Sequence, residues 1–264
     1  ITPRTQAILP VHFAGRPCDM DRIMAIADKH GLLVIEDCAH AIETEYKGRK
    51  AGTFGHFGCV SFYATKNVVT GEGGMILARD ESQIARAKVL ALHGMSKDAW
   101  HRFGDNGYKH YQVVECGFKY NMMDLQAALG IHQLRRAREF RDARARIAAH
   151  YDALLADLPL VLPPQPAAGD LHSWHIYVLR LREDAPVGRD AVIEALFAAG
   201  IGSSVHYIPL HQQPYWRERY GLRAEDFPHS QKAYEATFSL PLYSRMTPAD
   251  AERVAAVLRG VLAR

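Results

Sequence analysis

The run Leu32-Leu33-Val34-Ile35-Glu36-Asp37 decides the fold class, because four consecutive apolar residues lead directly into two carboxylates. A continuous apolar run of this length is typical of a strand that is buried on both faces in a parallel sheet. A helix is predicted before it, with Asp19 as a good N-cap and Gly31 as a natural stop. A helix followed by a buried strand predicts the α/β class.

Segments on both sides of this run continue the alternation of strands and helices. Residues 7–12 predict a short strand, and the apolar runs at residues 59–63 and 75–78 predict two more buried strands of the same kind. A helix is expected at residues 81–92. The first part of the chain is therefore predicted to be an α/β domain with a mainly parallel sheet.

The pattern changes in the second half of the chain. A long helix is expected at residues 123–156, after which prolines interrupt the pattern. The remaining expected elements are a strand at residues 175–181, a helix at 189–199 ended by Gly200, a strand at 203–206, and helices at 229–238 and 248–262. We therefore expect a large α/β domain at residues 1–135, followed by a connecting helix and a smaller α+β domain at residues 136–264.

The composition is that of an ordinary globular protein. The 264 residues are 48% hydrophobic and 23% charged, and the net charge of +3 is too small to favour a nucleic-acid partner. The longest apolar runs are too short to span a membrane. The four cysteines, Cys18, Cys38, Cys59 and Cys116, show neither metal-type spacing nor a disulfide framework. These features predict a protein of the reducing cytoplasm that binds neither membranes nor metals.

Three features of the first domain carry the candidate chemistry. Asp37 ends the first buried strand, and open α/β sheets bind ligands beyond the carboxyl ends of their strands. Lys66 follows the next buried strand, with Ser61 five residues before it. The turn Gly71-Glu72-Gly73-Gly74 permits positive φ and close approach of the backbone. Taken singly, each has a plain alternative: a surface carboxylate or N-cap, a solvated lysine, and a tight turn.

Together with other motifs, these features resemble the DegT-type family of sugar aminotransferases, which have the type I fold of pyridoxal-phosphate-dependent transferases. The resemblance covers nearly the whole chain, in order. The matching segments are Glu36-Asp37-Cys38-Ala39-His40-Ala41, Gly52-Thr53-Phe54-Gly55, Ser61-Phe62, Lys66, Gly71-Glu72-Gly73-Gly74, His93-Gly94, Gly117-Phe118-Lys119-Tyr120-Asn121-Met122, Gln126-Ala127-Ala128-Leu129-Gly130, Gln133-Leu134, His206-Tyr207-Ile208-Pro209-Leu210-His211 and Ser239-Leu240-Pro241-Leu242.

The resemblance implies a cofactor, pyridoxal 5'-phosphate, and roles for four residues. In this family the lysine that matches Lys66 attaches covalently to the cofactor and later moves a proton. The aspartate that matches Asp37 lies against the pyridine nitrogen and keeps it protonated. The resemblance also implies that His40 lies beside the cofactor ring, with a plain core histidine as the alternative, and that Ser61 binds the cofactor phosphate.

Further residues follow from the resemblance. Family members complete the phosphate site with residues of the partner subunit, and the matching segment offers Lys119 and Asn121, which differ from the family's usual asparagine and arginine. His206, Tyr207 and His211 lie where the family borders its substrate, although packing is an equally good interpretation. Because the family shares its sites between subunits, we expect a homodimer with shared active sites.

The start of the chain departs from the family pattern. Family members carry a leading segment before the part that resembles residues 1–15. That segment supplies a small-residue turn for the cofactor phosphate and an aromatic side chain that stacks on the cofactor ring. We expect the complete protein to have both.

The resemblance implies transfer of an amino group from glutamate to a keto carbon of a nucleotide-linked sugar. The turn Thr70-Gly71-Glu72-Gly73-Gly74 is similar to that of members that act on C4. Members that act on C3 more often have aspartate in this turn, and the 3-keto sugar is therefore the alternative. A dehydratase branch of the family has histidine in place of the catalytic lysine, and Lys66 argues against that branch.

Two other classes of protein compete with this assignment. A non-catalytic regulatory protein on the same fold would be expected to have lost Lys66 or the motif around Asp37, and both are intact. A metal enzyme would need a pair of histidines close to a carboxylate on a helix, and the 14 histidines show no such spacing.

Overall fold

The computed structural model describes residues 1–96 and 111–263. The chain divides into two compact units. The first consists of Ile1–Ala137 with Ala168–His172, and the second of Arg138–Ala167 with Ser173–Arg264. Each unit has a sheet and a buried core of its own.

The first unit contains all the parallel strand pairs that the structure describes. Its elements, in chain order, are β1 (Ala7–Ile8), α1 (Met20–His30), β2 (Leu33–Asp37), β3 (Glu45–Tyr46), β4 (Arg49–Lys50), β5 (Phe57–Ser61), β6 (Gly74–Ala78), α2 (Glu81–Ala91) and the beginning of α3 (Asp124–Leu155). The main sheet has the strand order β1-β2-β5-β6, and β3 and β4 form a separate antiparallel pair.

Strand β2 lies at the centre of the parallel part of the sheet. It runs parallel to β1 on one side and to β5 on the other, with Asp37 opposite Cys59. Val34 is fully buried, but Leu33 is 46% exposed, so the expectation of burial on both faces holds for only one face of β2 within this chain. Because β2 and β5 are parallel, their last residues, Asp37 and Ser61, lie at the same edge of the sheet.

Strand β6 corrects one expectation. Residues 75–78 were expected to form a third buried strand of the parallel type, but β6 runs antiparallel to β5, and Met75 and Ile76 are about half exposed. Parallel neighbours need a crossover of a dozen or more residues, usually a helix. Residues 62–73, which join the two strands, contain no helix and return the chain directly beside β5.

Helix α1 forms as its end signals predict. The Asp19 side chain accepts a hydrogen bond from the backbone N–H of Arg22, and Gly31 ends the helix in the left-handed conformation with φ of 61°. Met20 and Ala27 are the fully buried positions of the helix. They belong to the cluster that contains Val34 of β2, so packing fixes the helix against the sheet.

The second unit is built on a three-stranded antiparallel sheet in the order β7-β8-β9. After the end of α3, its elements are β7 (Leu160–Val161), β8 (Tyr177–Leu181), α4 (Arg189–Ala198), α5 (Pro214–Tyr220), α6 (Pro228–Ala236), β9 (Thr237–Leu240) and α7 (Pro248–Leu262). Its core includes the fully buried side chains of Tyr151, Leu155, Tyr177, Phe238 and Leu258.

Two expectations for this unit were wrong in detail. The helix expected at residues 229–238 ends at Ala236, and Thr237–Leu240 form β9 instead. Pairing with β8 and burial of Phe238 decide this stretch, since tertiary contacts override local propensity. The strand expected at residues 203–206 is reduced to a single bridge between Ser204 and Ser239.

Within the described ranges, no helix combines the length and the apolar character that crossing a membrane would require.

Candidate active site

Asp37 and Lys66 lie at the carboxyl edge of the first unit's sheet. Asp37 is the last residue of β2, and its Oδ1 accepts a hydrogen bond from the Ala39 N–H at 2.9 Å. Lys66 lies in the loop after β5, where its N–H donates to the Tyr63 carbonyl at 2.9 Å. Burial lowers the pKa of the Lys66 amine, and the charge of Asp37 partly offsets this shift. The charge of the carboxylate therefore reaches the Lys66 amine.

The loop that carries Lys66 is closed at its base by Phe62. The Phe62 N–H donates to the Gly73 carbonyl at 2.8 Å, and its carbonyl accepts from the Thr70 N–H at 2.9 Å. Gly73 has φ of 152°, and a Cβ there would lie 2.5 Å from Thr70 Oγ1. Only glycine fits this position, which explains the glycine-rich turn in structural terms.

A side-chain contact also holds this loop. The amide of Asn67, the residue after Lys66, donates to the carboxylate of Glu43 at 2.8 Å. Glu43 is buried. Lys66 is thus placed by backbone bonds at the base of its loop and by a buried partner beside it.

Ser61 and His40 belong to the same part of the unit: Ser61 is the last residue of β5, and His40 follows the end of β2 by three residues. Ser61 ends β5, and its Oγ accepts a hydrogen bond from the Tyr63 N–H at 3.4 Å. His40 is buried, and its Nδ1 accepts from the Ala14 N–H at 3.3 Å. Because a backbone N–H can only donate, a neutral His40 ring carries its proton on Nε2.

Lys119 and Asn121 contact each other in the first unit. The Lys119 amine donates a hydrogen bond to Asn121 Oδ1. Lys119 also forms an isolated antiparallel bridge with Leu92. The pair places one cation and one amide on an exposed segment, which is a reasonable arrangement for binding an anion.

His206, Tyr207 and His211 belong to the second unit. His206 Nδ1 lies 2.9 Å from Ser239 Oγ. Tyr207 is 61% exposed. His211 is buried, with Nε2 2.9 Å from the Gln231 side-chain oxygen. The surroundings of His211 are those of a packed side chain, whereas Tyr207 is accessible.

The glutamate before Asp37 has a role that the sequence patterns did not indicate. Glu36 is fully buried, and its carboxylate accepts hydrogen bonds from the backbone N–H groups of Gly52, Phe54 and Gly55, each at 2.7 Å. Burial raises its pKa, but hydrogen bonds from His12, Gly55 and Gly52 outweigh this effect, so the pKa lies below its ordinary value. One feature of the sequence could have indicated this role: Glu36 is a carboxylate within a strand that was predicted to be buried.

His12 is the fully buried partner of this carboxylate. Its Nε2 lies 3.0 Å from Glu36 Oε2, and its Nδ1 accepts from the Cys18 N–H at 3.0 Å. The contact at Nδ1 requires the neutral ring, because a backbone N–H donates a hydrogen bond and cannot accept one. Its proton is then on Nε2, directed at Glu36.

His12, Glu36 and Cys38 form a buried group whose ligand-type atoms lie within 4.8 Å of one another. Both ring nitrogens of His12 and both oxygens of Glu36 already take part in hydrogen bonds. A metal ion would have to displace these contacts and leave backbone N–H groups buried without acceptors. The group is better described as a hydrogen-bonded network.

Comparison with known proteins identifies the family. The model of the DegT/DnrJ/EryC1/StrS aminotransferase family matches residues 1–259. The spore coat polysaccharide biosynthesis protein SpsC of Bacillus subtilis (strain 168) is 46% identical over 264 residues, which are 99% of this chain and 68% of that protein.

Solved structures agree with this match. The aminotransferase TlmJ of Streptoalloteichus hindustanus superimposes with a TM-score of 0.86 at 34% identity, covering 98% of this chain and 66% of that one. The PLP-form of the sugar aminotransferase Spr1654 of Streptococcus pneumoniae, described as putative, gives 0.89 at 28% identity, covering 99% and 70%.

The chain thus spans about two thirds of the length of these relatives. The match to the family model extends over almost all of that span, and the solved relatives share its fold. The chain belongs to the DegT/DnrJ/EryC1/StrS aminotransferase family and has the type I fold of the pyridoxal-phosphate-dependent transferases.

Proposed function

We propose that this chain carries the catalytic residues of an aminotransferase that moves the amino group of glutamate to the C4 keto carbon of a nucleotide-linked sugar. The observation that carries the proposal is that Asp37 ends β2 and Lys66 lies in the loop after β5, the parallel neighbour of β2, so that both residues are at one edge of the sheet. Transamination on this cofactor needs a carboxylate and an amine that act on the same small ring.

The residues at this edge fit pyridoxal 5'-phosphate by their chemistry. One oxygen of Asp37 is held by the Ala39 N–H, and in the part of the chain that the structure describes the other oxygen has no protein partner. This oxygen can therefore accept a hydrogen bond from the protonated ring nitrogen of the cofactor. When bound, the cofactor withdraws electrons from the substrate carbon that loses or gains a proton.

Lys66 is suited to attach the cofactor and to move that proton. Burial lowers the pKa of its amine, so a larger neutral fraction is present near neutral pH than for a solvated lysine. Only the neutral amine has the lone pair that attacks a carbonyl carbon or takes up a proton. The hydrogen bond between Asn67 and Glu43 keeps the lysine loop in place during both steps.

The other residues of the site have supporting roles in the proposal. Ser61 offers a hydroxyl to the cofactor phosphate, and His40 offers its Nε2 proton to the ring oxygen. Lys119 and Asn121 bind the phosphate of the neighbouring subunit's cofactor. Lysine serves an anion as a point charge, so this contact does not need the bidentate geometry of arginine.

The substrate is a sugar nucleotide in this proposal. The relative SpsC is a spore coat polysaccharide biosynthesis protein, which supports a sugar substrate. Similarity of the turn Thr70-Gly71-Glu72-Gly73-Gly74 to that of C4 enzymes supports the C4 position, and C3 is the alternative. Three residues were proposed to contact the substrate. Tyr207 is exposed and can do so, whereas His206 and His211 bind other side chains of the protein and hold the segment between them in place.

An exposed apolar surface supports the homodimer. On β6 and the first part of α3, five large apolar side chains are between 49% and 77% exposed: Met75, Ile76, Leu125, Leu129 and Leu134. Among them, Leu125 and Leu129 lie one turn apart on the same side of α3, and such an exposed apolar pair is typical of an interface. A second copy of the chain is the proposed occupant, since the shared phosphate site requires one.

The proposed location is the cytoplasm. The four cysteines are free in the structure, and Cys38 is buried. Free thiols persist in a reducing compartment, where nucleotide-linked sugars and glutamate are also used.

The proposal is tested by assaying the complete gene product, loaded with cofactor, against a panel of 3-keto and 4-keto sugars linked to UDP, dTDP or GDP. Glutamate is the donor, and both the amino sugar and 2-oxoglutarate are measured. Amination of 4-keto members is expected, and Lys66→Ala is the inactive control. Amination of 3-keto members alone would move the assignment to C3. Cofactor binding without turnover of glutamate would favour the regulatory protein.

A further inference from the structure

We propose that Glu36 and His12 act together as positioning residues that hold the Asp37 carboxylate at the cofactor ring. The inference rests on the proposed function, because it assigns Asp37 to the ring nitrogen. Neither residue contacts the cofactor in this account. They act through the backbone on either side of Asp37.

Glu36 fastens the end of β2 to the turn before β5. Its carboxylate takes three backbone hydrogen bonds from residues 52–55, so this turn wraps around a single buried charge. The turn approaches too closely to carry other side chains at two of these positions. A Cβ at Gly55 would lie 2.6 Å from the Val34 carbonyl oxygen, and Gly52 has φ of 84°.

His12 fastens the same strand end from the other side. Its backbone N–H donates to the Asp37 carbonyl at 3.1 Å, while its ring donates to Glu36 at 3.0 Å. The Asp37 N–H in turn donates to the Pro10 carbonyl at 2.9 Å. Both backbone groups of Asp37 are therefore bound to residues 10–12, and the His12 ring ties that segment to Glu36.

The segment held by His12 also reaches His40. Ala14, two residues further on, donates its N–H to His40 Nδ1 at 3.3 Å. The following Gly15 carbonyl accepts from the Thr44 hydroxyl at 2.7 Å. Loss of the contact between His12 and Glu36 is expected to disturb two proposed cofactor contacts, Asp37 and His40, through one loop.

Burial of a charge distinguishes this pair from ordinary packing. An ionised carboxylate in a core is costly unless every lone pair is satisfied, and apolar residues of similar size would fill the space at lower cost. Glu36 nevertheless lies directly before Asp37, with donors on both of its oxygens. Directional bonds of this kind fix a backbone position more narrowly than apolar contacts do.

Two substitutions of His12 separate the contact from the volume of the side chain. The amide nitrogen of His12→Gln reaches the place of Nε2 and can still donate to Glu36. The amide of His12→Asn reaches only the place of Nδ1, where it can accept from the Cys18 N–H but cannot reach the carboxylate. Both variants are polar and uncharged, and they exchange the two contacts of the ring: His12→Gln keeps the one with Glu36 and loses the acceptor for the Cys18 N–H, whereas His12→Asn does the reverse. The two variants therefore show which of the two contacts matters.

The test uses the complete gene product and measures equilibrium binding of pyridoxal phosphate to the apoprotein. A pH titration of the visible absorbance of the holoprotein is the second measurement. In His12→Asn, we expect binding at least about tenfold weaker and a shifted midpoint of the titration, because small displacements of a positioned group are costly. His12→Gln is expected to resemble the unmodified protein in both measurements. Equal behaviour of the two variants in folded protein would overturn the inference.

Two further measurements test the inference even if His12→Asn does not fold. Glu36→Gln keeps the shape of the side chain and is expected to shift the same titration; an unshifted midpoint in folded Glu36→Gln counts against the inference. In the unmodified holoprotein, nitrogen NMR is expected to find His12 with its proton on Nε2, and a proton on Nδ1 would refute the contact. If the unmodified protein itself fails to bind the cofactor, the proposed function fails instead.

Discussion

Burial lowers the pKa of the Lys66 amine, and the Asp37 carboxylate, at the end of a neighbouring strand, partly offsets this shift. Two opposing effects therefore set the pKa of the Lys66 amine. Burial makes the amine available as a neutral nucleophile, and the carboxylate limits how far its pKa falls.

The first prediction concerns Asp37→Asn. Removing the charge is expected to lower the pKa of Lys66 further, because only burial then acts on it. Capture of the cofactor by the apoprotein requires the neutral amine and speeds up as pH rises through that pKa. The midpoint of capture rate against pH, measured by stopped-flow absorbance, should therefore move to lower pH in the variant. Turnover should fall by about 10²-fold or more.

The control for this change is Asp28→Asn, which removes a carboxylate from an exposed position of α1. It should leave both the midpoint and the turnover unchanged. A midpoint that moves to higher pH in Asp37→Asn would mean that the two groups do not interact as described.

The second prediction concerns the acid stability of the first unit. Folding lowers the pKa of Glu36 below its ordinary value of 4.5 despite the opposing effect of burial. A carboxylate of this kind contributes stability that is present above its unfolded pKa and is lost as pH falls through its folded pKa. Glu36→Gln should lose about 1–3 kcal/mol at neutral pH, and its free energy of unfolding should depend less on pH below about 4.5.

Chemical denaturation at several pH values measures this effect, with Asp28→Asn again as the control. The prediction is wrong if the free energies of unfolding of Glu36→Gln and of the unmodified protein fall in parallel as the pH decreases below about 4.5. Glu36 would then not be the group whose pKa changes on unfolding.

Much of the framework of the first unit could be predicted from local patterns. Asp19 and Gly31 bound helix α1 because capping depends on residues next to one another in the chain. The apolar run before Asp37 formed a central parallel strand as its composition predicted, although only one face of that strand is fully buried in this chain. The direction of β6 could not be predicted, because its residues are apolar in either orientation, and the direction depends on a connection from β5 that forms no crossover helix.

The candidate site divides in the same way. Asp37 and Lys66 were predicted from the family resemblance. The effect of the Asp37 charge on the pKa of Lys66 depends on the pairing of β2 with β5, which brings together two distant parts of the sequence. The pair of Glu36 and His12 was missed. The two residues are separated by 24 positions, and only the register of the sheet and the path of the loop bring them together. Pairing of this kind is not visible in a single sequence.

A third prediction uses the close approach of two glycines. A Cβ at Gly58 of β5 would lie 2.3 Å from the Gly52 carbonyl oxygen and 2.5 Å from its Cα. Backbone cannot move aside as a side chain can, so Gly58→Ala should lower the free energy of unfolding by about 3 kcal/mol or more.

Gly260→Ala is the matched control for this substitution. Gly260 lies inside α7, and a Cβ there would have no neighbour within 4 Å. This variant should be more stable by about 0.5–1 kcal/mol, because alanine is favoured over glycine within a helix. Denaturation that shows the same sign for both changes would contradict the close contact at Gly58.

A fourth prediction tests the proposed homodimer. Leu125 and Leu129 of α3 are 77% and 60% exposed, one helical turn apart. The double change Leu125→Glu, Leu129→Glu should convert dimer to monomer in sedimentation and should also weaken cofactor binding, because the phosphate site is proposed to be shared. Arg146→Glu, at an exposed position of the same helix, should leave the assembly intact. A double variant that remains dimeric with normal cofactor affinity would place the interface elsewhere.

Lys66 is proposed to hold the cofactor, and chemical reduction of the holoprotein tests this assignment. Borohydride reduction makes the carbon–nitrogen bond between an enzyme amine and pyridoxal phosphate permanent, and peptide mass mapping then locates it. We expect the added mass on the peptide that contains Lys66, and none on the corresponding peptide of Lys66→Ala. Attachment at a different lysine, or full turnover by Lys66→Ala, would show that Lys66 does not hold the cofactor.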